Sequence, residues 1–135
     1  MKYKFLQHTA DVKFRAYGKT LNKLFESSAI AMFKTMFNGN VKSLKKKVIK
    51  ASGKDLESLL YNFLEELLVL LDSQGFFISK IRVKIDEKKL SLKALVFGDN
   101  AENYETGNAV KAVTYNEMFV KKIKNKWVCQ VVLDI

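Results

Sequence analysis

The last two residues, Asp134 and Ile135, place several oxygen donors side by side. The strand-like residues 130–133 run directly into this dipeptide, so a regular backbone would fix its position. The Asp134 side chain, the Ile135 main chain and the terminal carboxylate are oxygen ligands of the kind that Ca²⁺ and Mg²⁺ require. Asp11 follows a short strand-like segment and could face the same edge. These residues indicate a candidate divalent-cation site, and the sequence by itself leaves their contact open.

Other polar residues have structural alternatives. Asp11 in a turn could equally accept backbone N–H bonds, and His8 could be a hydrogen-bonded turn residue rather than a ligand. Glu65 and Glu66 are typical of a solvated helix surface. A second conceivable cation site is a cluster of acids in the polar loop predicted at residues 98–107, namely Asp99, Glu102 and Glu105.

The usual catalytic motifs are absent from the sequence. It contains no phosphate-binding Gly-rich loop, GxSxG, CxxC or HExxH motif. One His and one Cys are too few for a common zinc site. Cys129, flanked by Trp127 and Val131 on a predicted strand, is expected to be a buried thiol rather than a nucleophile. We therefore expect a protein without enzymatic activity.

The hydrophobic pattern predicts two helices and about six strands. Thr20 is a good N-cap for a first helix that ends near residues 38–39, and residues 52–55 resemble a capping box for a second helix that ends at residues 73–75. Strands are predicted at 2–6, 12–17, 76–85, 90–97, 112–123 and 126–133, with residues 45–51 as either strand or loop. Hairpins make the pairing mostly antiparallel. The expected class is α+β, a single domain over residues 1–135.

Composition narrows the class of protein. The 135 residues include 24 Lys and Arg but only 14 Asp and Glu, which gives a net charge of +10. This charge is compatible with a solvated surface, or with attraction to RNA or an acidic partner. The single Cys and the absence of a signal-like leader predict a reducing, cytoplasmic location. The longest apolar run, residues 67–71, is far shorter than the ~20 residues of a membrane span, so no membrane association is expected.

Three segments together resemble the archease family. They are residues 7–11 (Gln-His-Thr-Ala-Asp), residues 110–115 (Val-Lys-Ala-Val-Thr-Tyr) and residues 130–135 (Gln-Val-Val-Leu-Asp-Ile). Each motif is weak alone, but their order and spacing fit the family along nearly the whole chain.

The resemblance implies an accessory protein in tRNA splicing. Archeases assist the GTP-dependent RNA-splicing ligase, promoting its guanylylation and its multiple turnover, without catalysing ligation themselves. The family has a divalent-cation site, Ca²⁺ or Mg²⁺, whose ligands would here be Asp11, Asp134 and Ile135. Contact with tRNA would be indirect or weak. The alternative function is a basic tRNA-binding or chaperone-like module that modulates tRNA modification enzymes.

The chain also differs from the family pattern. Asn116 stands where a His usually follows the Thr-Tyr pair, Ala109 stands where an acid often precedes Val-Lys, and no His lies near Tyr104. Lys111 and Thr114 match the pattern and are expected near the functional surface, although an exposed strand Lys and a strand-favouring Thr would also fit.

Overall fold

The computed structural model describes residues 2–6, 11–107 and 109–135. Its two helices are α1 (Leu21–Met36) and α2 (Leu56–Gln74). A single 3₁₀ turn lies at Ala101–Asn103. The seven strands are β1 (Lys2–Leu6), β2 (Val12–Gly18), β3 (Lys45–Ser52), β4 (Phe76–Asp86), β5 (Ser91–Asn100), β6 (Ala112–Ile123) and β7 (Lys126–Asp134).

The strands form two antiparallel sheets. The first has the order β1-β2-β7-β6, and the second has the order β3-β5-β4. The hairpins β1–β2, β4–β5 and β6–β7 are local, whereas the β2–β7 pair joins opposite ends of the sequence. The predicted α+β class is confirmed. The additional strand is β3, whose polar, Lys-rich sequence left it undecided between strand and loop.

The helix boundaries follow from capping chemistry. Thr20 accepts the Lys23 N–H at 3.1 Å, as predicted. The N-cap of α2 is Asp55, which forms a reciprocal capping box with Ser58, so the predicted box at residues 52–55 begins three residues too early. Ser52 instead belongs to β3 and pairs with Ser91. Gly75 ends α2 in the left-handed conformation, with φ +61°, which glycine adopts without steric cost.

Side chains from the helices bind the edge strands of both sheets. From α1, Glu26 accepts the Val83 N–H at 2.9 Å and Asn22 accepts the Ile85 N–H at 3.0 Å, both on β4. From α2, Glu57 accepts the Val120 N–H at 3.3 Å on β6. An exposed edge strand is a template for aggregation, and these bonds occupy donors that β4 and β6 would otherwise leave open.

One apolar core joins the helices to both sheets. The apolar face of each helix packs against strands of the two sheets, and the largest side chains with essentially no exposure include Phe14, Phe25, Phe63, Phe76 and Phe77. Burying a side chain of this size contributes about 1.5–3 kcal/mol. In the described part of the chain, neither helix combines the length and apolarity that a membrane crossing needs.

Cys129 lies in this core, as predicted from its strand position. It is fully buried on β7, and its Sγ lies 3.0 Å from the Ser28 hydroxyl of α1. Burial raises the pKa of Cys129 from the ordinary 9.0 to about 11, because the thiolate would be poorly solvated there. The thiol is therefore protonated and inaccessible at neutral pH.

This burial makes part of the folding stability dependent on pH. Below about pH 9 the thiol is protonated in both states; between pH 9 and 11 it ionises only when unfolded, so stability falls as pH rises. Each pKa unit corresponds to about 1.4 kcal/mol, so we expect the free energy of unfolding to fall by about 2–3 kcal/mol over this pH range. Urea denaturation at a series of pH values measures it. The variant Cys129→Ala is the control, since every other titration remains, and equal pH slopes in the two proteins would contradict the assignment.

Candidate metal site at the end of the first sheet

The predicted site residues lie where three strands of the first sheet meet. Strand β7 is central, with β2 on one side and β6 on the other. Val12 pairs with Leu133, and Ala112 pairs with Asp134. Asp11 directly precedes β2, so it comes next to the Val12–Leu133 pair on the side of Asp134. The β2–β7 register therefore brings Asp11, Asp134 and Ile135 to the same end of one sheet.

The alternation of side chains defines which way the two acids point. Opposed residues of an antiparallel pair share a face, and successive residues change face. Leu133 faces the core with no exposure, so the next position along each strand, Asp11 and Asp134, belongs to the outward face. Asp134 is exposed, while Asp11 is half-buried and its Oδ1 is inaccessible to solvent. Ile135 is half-buried against the core.

Residues 110–115 are held to the same end of the sheet by hydrogen bonds. The Lys111 N–H donates to the Asp134 carbonyl at 2.7 Å. The Thr114 hydroxyl donates to the Val132 carbonyl at 2.9 Å, and the Asn116 N–H donates to the Thr114 hydroxyl at 3.3 Å. The start of β6 is thus fixed against the end of β7, and the last residues of β7 are clamped from both sides.

Sequence reasoning missed the contribution of α2 to this region. Glu65, expected to be solvated, is half-buried and accepts the Val113 N–H at 3.1 Å. Tyr61 stacks on Tyr115 with 4.2 Å between ring centroids and 9° between planes. Desolvation raises the pKa of Tyr115 above its ordinary value. No sequence signal separates Glu65 from Glu66, because only the packing of α2 beside β6 decides which one meets the strand.

The oxygen ligands at this sheet end are of the chemical type that binds hard cations. Two carboxylates and main-chain oxygens are the ligands that Ca²⁺ and Mg²⁺ favour, and adjacent carboxylates repel each other unless a cation compensates them. In the described residues, no group of three or more His, Cys, Asp and Glu is placed to hold a metal ion. Main-chain oxygens must therefore complete any site built on Asp11 and Asp134.

The remaining sequence predictions have different outcomes. Residues 7–10, including His8, lie outside the described residues. Ala109 and Asn116 are exposed near the start of β6. Tyr104 lies elsewhere, where its hydroxyl donates to Asp99 at 2.8 Å and accepts the Lys42 N–H at 2.9 Å.

The structure does not form the second conceivable cation site, in residues 98–107. Asp99 belongs to β5 and is 4% exposed, whereas Glu102 and Glu105 are exposed, and the three do not form a group that could hold a metal ion. Asp99 instead accepts the Tyr104 hydroxyl and the Asn100 N–H. These two bonds, the Tyr104 bond first, hold the pKa of Asp99 below its ordinary value. The carboxylate therefore anchors the 3₁₀ turn.

Comparisons with known proteins agree with this fold. Residues 3–135 match the Archease protein family (MTH1598/TM1083). The chain is 43% identical to the protein archease of Pyrococcus abyssi and 40% identical to that of Sulfurisphaera tokodaii, each covering 99% of both chains. The solution structure of protein 1598 of Methanobacterium thermoautotrophicum superposes with a TM-score of 0.86 at 35% identity, covering 98% of both chains.

A more distant structure shares the fold alone. The crystal structure of an archease from Thermotoga maritima, described as a possible chaperone, superposes with a TM-score of 0.67 at 19% identity, over 100% of this chain and 98% of that chain. The class is thus a two-helix, two-sheet α+β protein with oxygen donors at the end of one sheet. Within that class, the chain belongs to the archease family.

The Thr114 hydroxyl provides a direct test of the clamp on β7. Thr114→Val keeps the side-chain shape and removes the bond to the Val132 carbonyl, so we expect a loss of about 0.5–1.5 kcal/mol in the free energy of unfolding. Thr114→Ser keeps the hydroxyl and serves as the control. Urea denaturation compares the three proteins. A Ser variant less stable than the Val variant would show that the methyl group, not the hydrogen bond, matters at this position.

Proposed function

We propose that this protein is a metal-binding cofactor of the GTP-dependent RNA-splicing ligase. It would promote guanylylation of the ligase and its multiple turnover in tRNA splicing, in the cytoplasm, without catalysing ligation itself. The observation that carries the proposal is the β2–β7 register, which brings Asp11, Asp134 and Ile135 to one sheet end. Membership of the archease family supports it.

The proposed ligands are Asp11, Asp134 and the main-chain oxygen of Ile135. A Ca²⁺ or Mg²⁺ ion bound there would supply positive charge that offsets the repulsion between these oxygens. The protein's own residues would do the rest. The Lys111 N–H and the Thr114 hydroxyl hold the end of β7, so Asp134 sits on a fixed strand end rather than on a loose tail. Asp11 directly precedes β2, which is paired with β7.

The proposed mechanism is differential binding. A rigid edge can favour one state of a partner only if it makes better contacts with that state than with the others. In this proposal, the end of the first sheet contacts the guanylylation-competent state of the ligase preferentially. Stacked Tyr61 and Tyr115, the latter 53% exposed, offer an apolar contact close to the start of β6.

The metal part of the proposal predicts stabilisation by cations. At a hundredfold excess over Kd, a bound ion contributes about 2.7 kcal/mol, or roughly 8 °C in Tm for a domain of this size. Calorimetry with added Ca²⁺ or Mg²⁺ measures the shift. Asp11→Asn and Asp134→Asn should abolish it, whereas Asp72→Asn, which removes an exposed acid from α2, should retain it. Equal shifts in all four proteins would contradict the ligand assignment.

The ligase part predicts a gain in turnover. With the ligase far below its RNA substrate and GTP present, we expect added protein to raise ligated product well above one equivalent of ligase. Asp134→Asn should return the yield to the single-turnover level, and Asp72→Asn should behave as the wild type. No gain with the wild-type protein would overturn the proposal.

The alternative function is a basic tRNA-binding or chaperone-like module that modulates tRNA modification enzymes. The description of the Thermotoga maritima relative as a possible chaperone favours it. It would be preferred if the protein left ligase turnover unchanged, altered the specificity of a tRNA modification enzyme, and did so equally well with Asp11→Asn or Asp134→Asn.

A further inference from the structure

The outward face of the second sheet is strongly basic. Alternate residues of β4 are buried Ile81 and Val83, and the residues between them point outward and are exposed. The same alternation in all three strands defines what we call the basic sheet face. The name covers the three rows that carry the cations, namely Lys46, Val48, Lys50, Lys80, Arg82, Lys84, Lys93, Leu95 and Phe97. The alternation continues into a fourth row, Ser52, Ser91 and the acid Asp86, which the name does not include.

The residues of this face form three rows across the strands. Lys46 and Lys80 flank Phe97 in the first row. The second row is Val48, Leu95 and Arg82, and the third is Lys50, Lys93 and Lys84. Like charges directly opposite each other destabilise a sheet, so a row of three lysines carries a cost that an anionic ligand would relieve.

The cations of this face are available to a ligand. Among the residues that the structure describes, the ion pairs are Lys13–Glu117 and Lys23–Glu26, and both lie elsewhere. On the face itself, the Lys80 Nζ lies 4.8 Å from the centroid of the Phe97 ring. Asp86, the acid that follows next along β4, accepts a hydrogen bond from the Lys89 N–H at 3.2 Å in the hairpin turn.

On the outward face of the first sheet, two of the cations have partners within the chain. There Arg15 donates to Gln130 at 2.9 Å and lies 5.6 Å from the centroid of the Phe119 ring. Lys13 pairs with Glu117 at 3.0 Å. Arg15 and Lys13 therefore already have partners within the chain. Lys4 and Lys121 are exposed on the same face, but they fall in different rows across the strands.

A shallow groove runs through the middle of the basic sheet face. Its volume is about 370 Å³, and its outward-facing lining residues are Val48, Arg82, Lys84, Lys93 and Leu95. The floor is apolar and the walls are cationic. Along β4, the cations at alternate positions recur at roughly 6.8 Å, twice the rise of an antiparallel strand.

We propose that the basic sheet face binds single-stranded RNA. A positive groove that follows the phosphates, together with aromatic and apolar surface for the bases, is how proteins hold single strands without reading their sequence. Val48 and Leu95 supply the apolar surface of the groove, and the lysines supply the charge. Phe97 supplies an aromatic ring in the neighbouring row, where Lys80 lies over it. A purely acidic protein segment would match the charge but would leave the apolar floor without a partner.

This proposal does not rest on the proposed ligase function. The basic sheet face belongs to the second sheet, whereas Asp11, Asp134 and Ile135 lie at the end of the first. RNA binding can therefore be measured with no ligase present and with EDTA added. Failure to bind RNA would leave the turnover result untouched, and failure to stimulate the ligase would leave RNA binding untouched.

The test is fluorescence anisotropy of a labelled oligouridine with the full chain. We expect Lys84→Gln with Lys93→Gln to weaken binding by about 10-fold and to reduce the salt slope by about 1.4, since each phosphate contact on a single strand contributes about 0.7. Lys121→Gln with Lys122→Gln, two exposed lysines of β6, removes the same charge and should change affinity by less than about 2-fold.

Two further measurements distinguish binding of single-stranded RNA from nonspecific attraction of any polyanion. Phe97→Leu should weaken oligouridine binding. The lysine variants should keep the wild-type Tm, because the substituted lysine side chains are exposed. A matched RNA duplex, polyglutamate and anionic lipid vesicles are competitors. Equal loss in the two double-lysine variants, or displacement of oligouridine by any of these competitors at equal charge concentration, would overturn the proposal.

Discussion

The antiparallel pairing of β2 with β7 is the constraint on which the candidate site depends. It joins residues near the two ends of the sequence in the middle of the first sheet. A slip of one residue would turn every side chain to the opposite face, which would put Lys13 into the core in place of Phe14. The fully buried Phe14 and Leu133 therefore fix the register, and that register determines where Asp11 meets the end of β7.

The helices make this sheet rigid through polar contacts as well as apolar ones. Glu65 of α2 accepts the N–H of Val113, the residue paired with Leu133. Glu26 of α1 is 5% exposed and reaches β4 of the second sheet, with Lys23 at 3.3 Å. A buried carboxylate needs such donors to offset its lost hydration. The same acids that satisfy the strand edges therefore tie the two sheets to the helices between them.

Local patterns predicted the elements better than their assembly. The hairpin at Lys124 and the end of α2 at Gly75 follow from local turn and cap chemistry and match the structure. The segment of β3 was left open between strand and loop, because consecutive Lys45, Lys46 and Lys47 place lysines on both faces and interrupt the apolar alternation. Asp99 was misassigned because its partner, Tyr104, lies across a turn. The pairing of β2 with β7 joins segments that are far apart in the sequence, and only the family resemblance indicated it.

The division into two sheets separates two kinds of electrostatic surface. Asp11 and Asp134 lie where β2 begins and β7 ends, while a row of three exposed lysines, Lys50, Lys93 and Lys84, crosses the outward face of β3, β5 and β4. Had the lysines of the second sheet lain beside Asp11 and Asp134, ion pairs would have competed with a cation for the same oxygens. Placing these lysines on a separate sheet limits that competition, because an ion pair needs its nitrogen and oxygen within about 4 Å of each other. A +10 chain can therefore keep Asp11 and Asp134 apart from its lysine-rich sheet, as the proposed cation site requires.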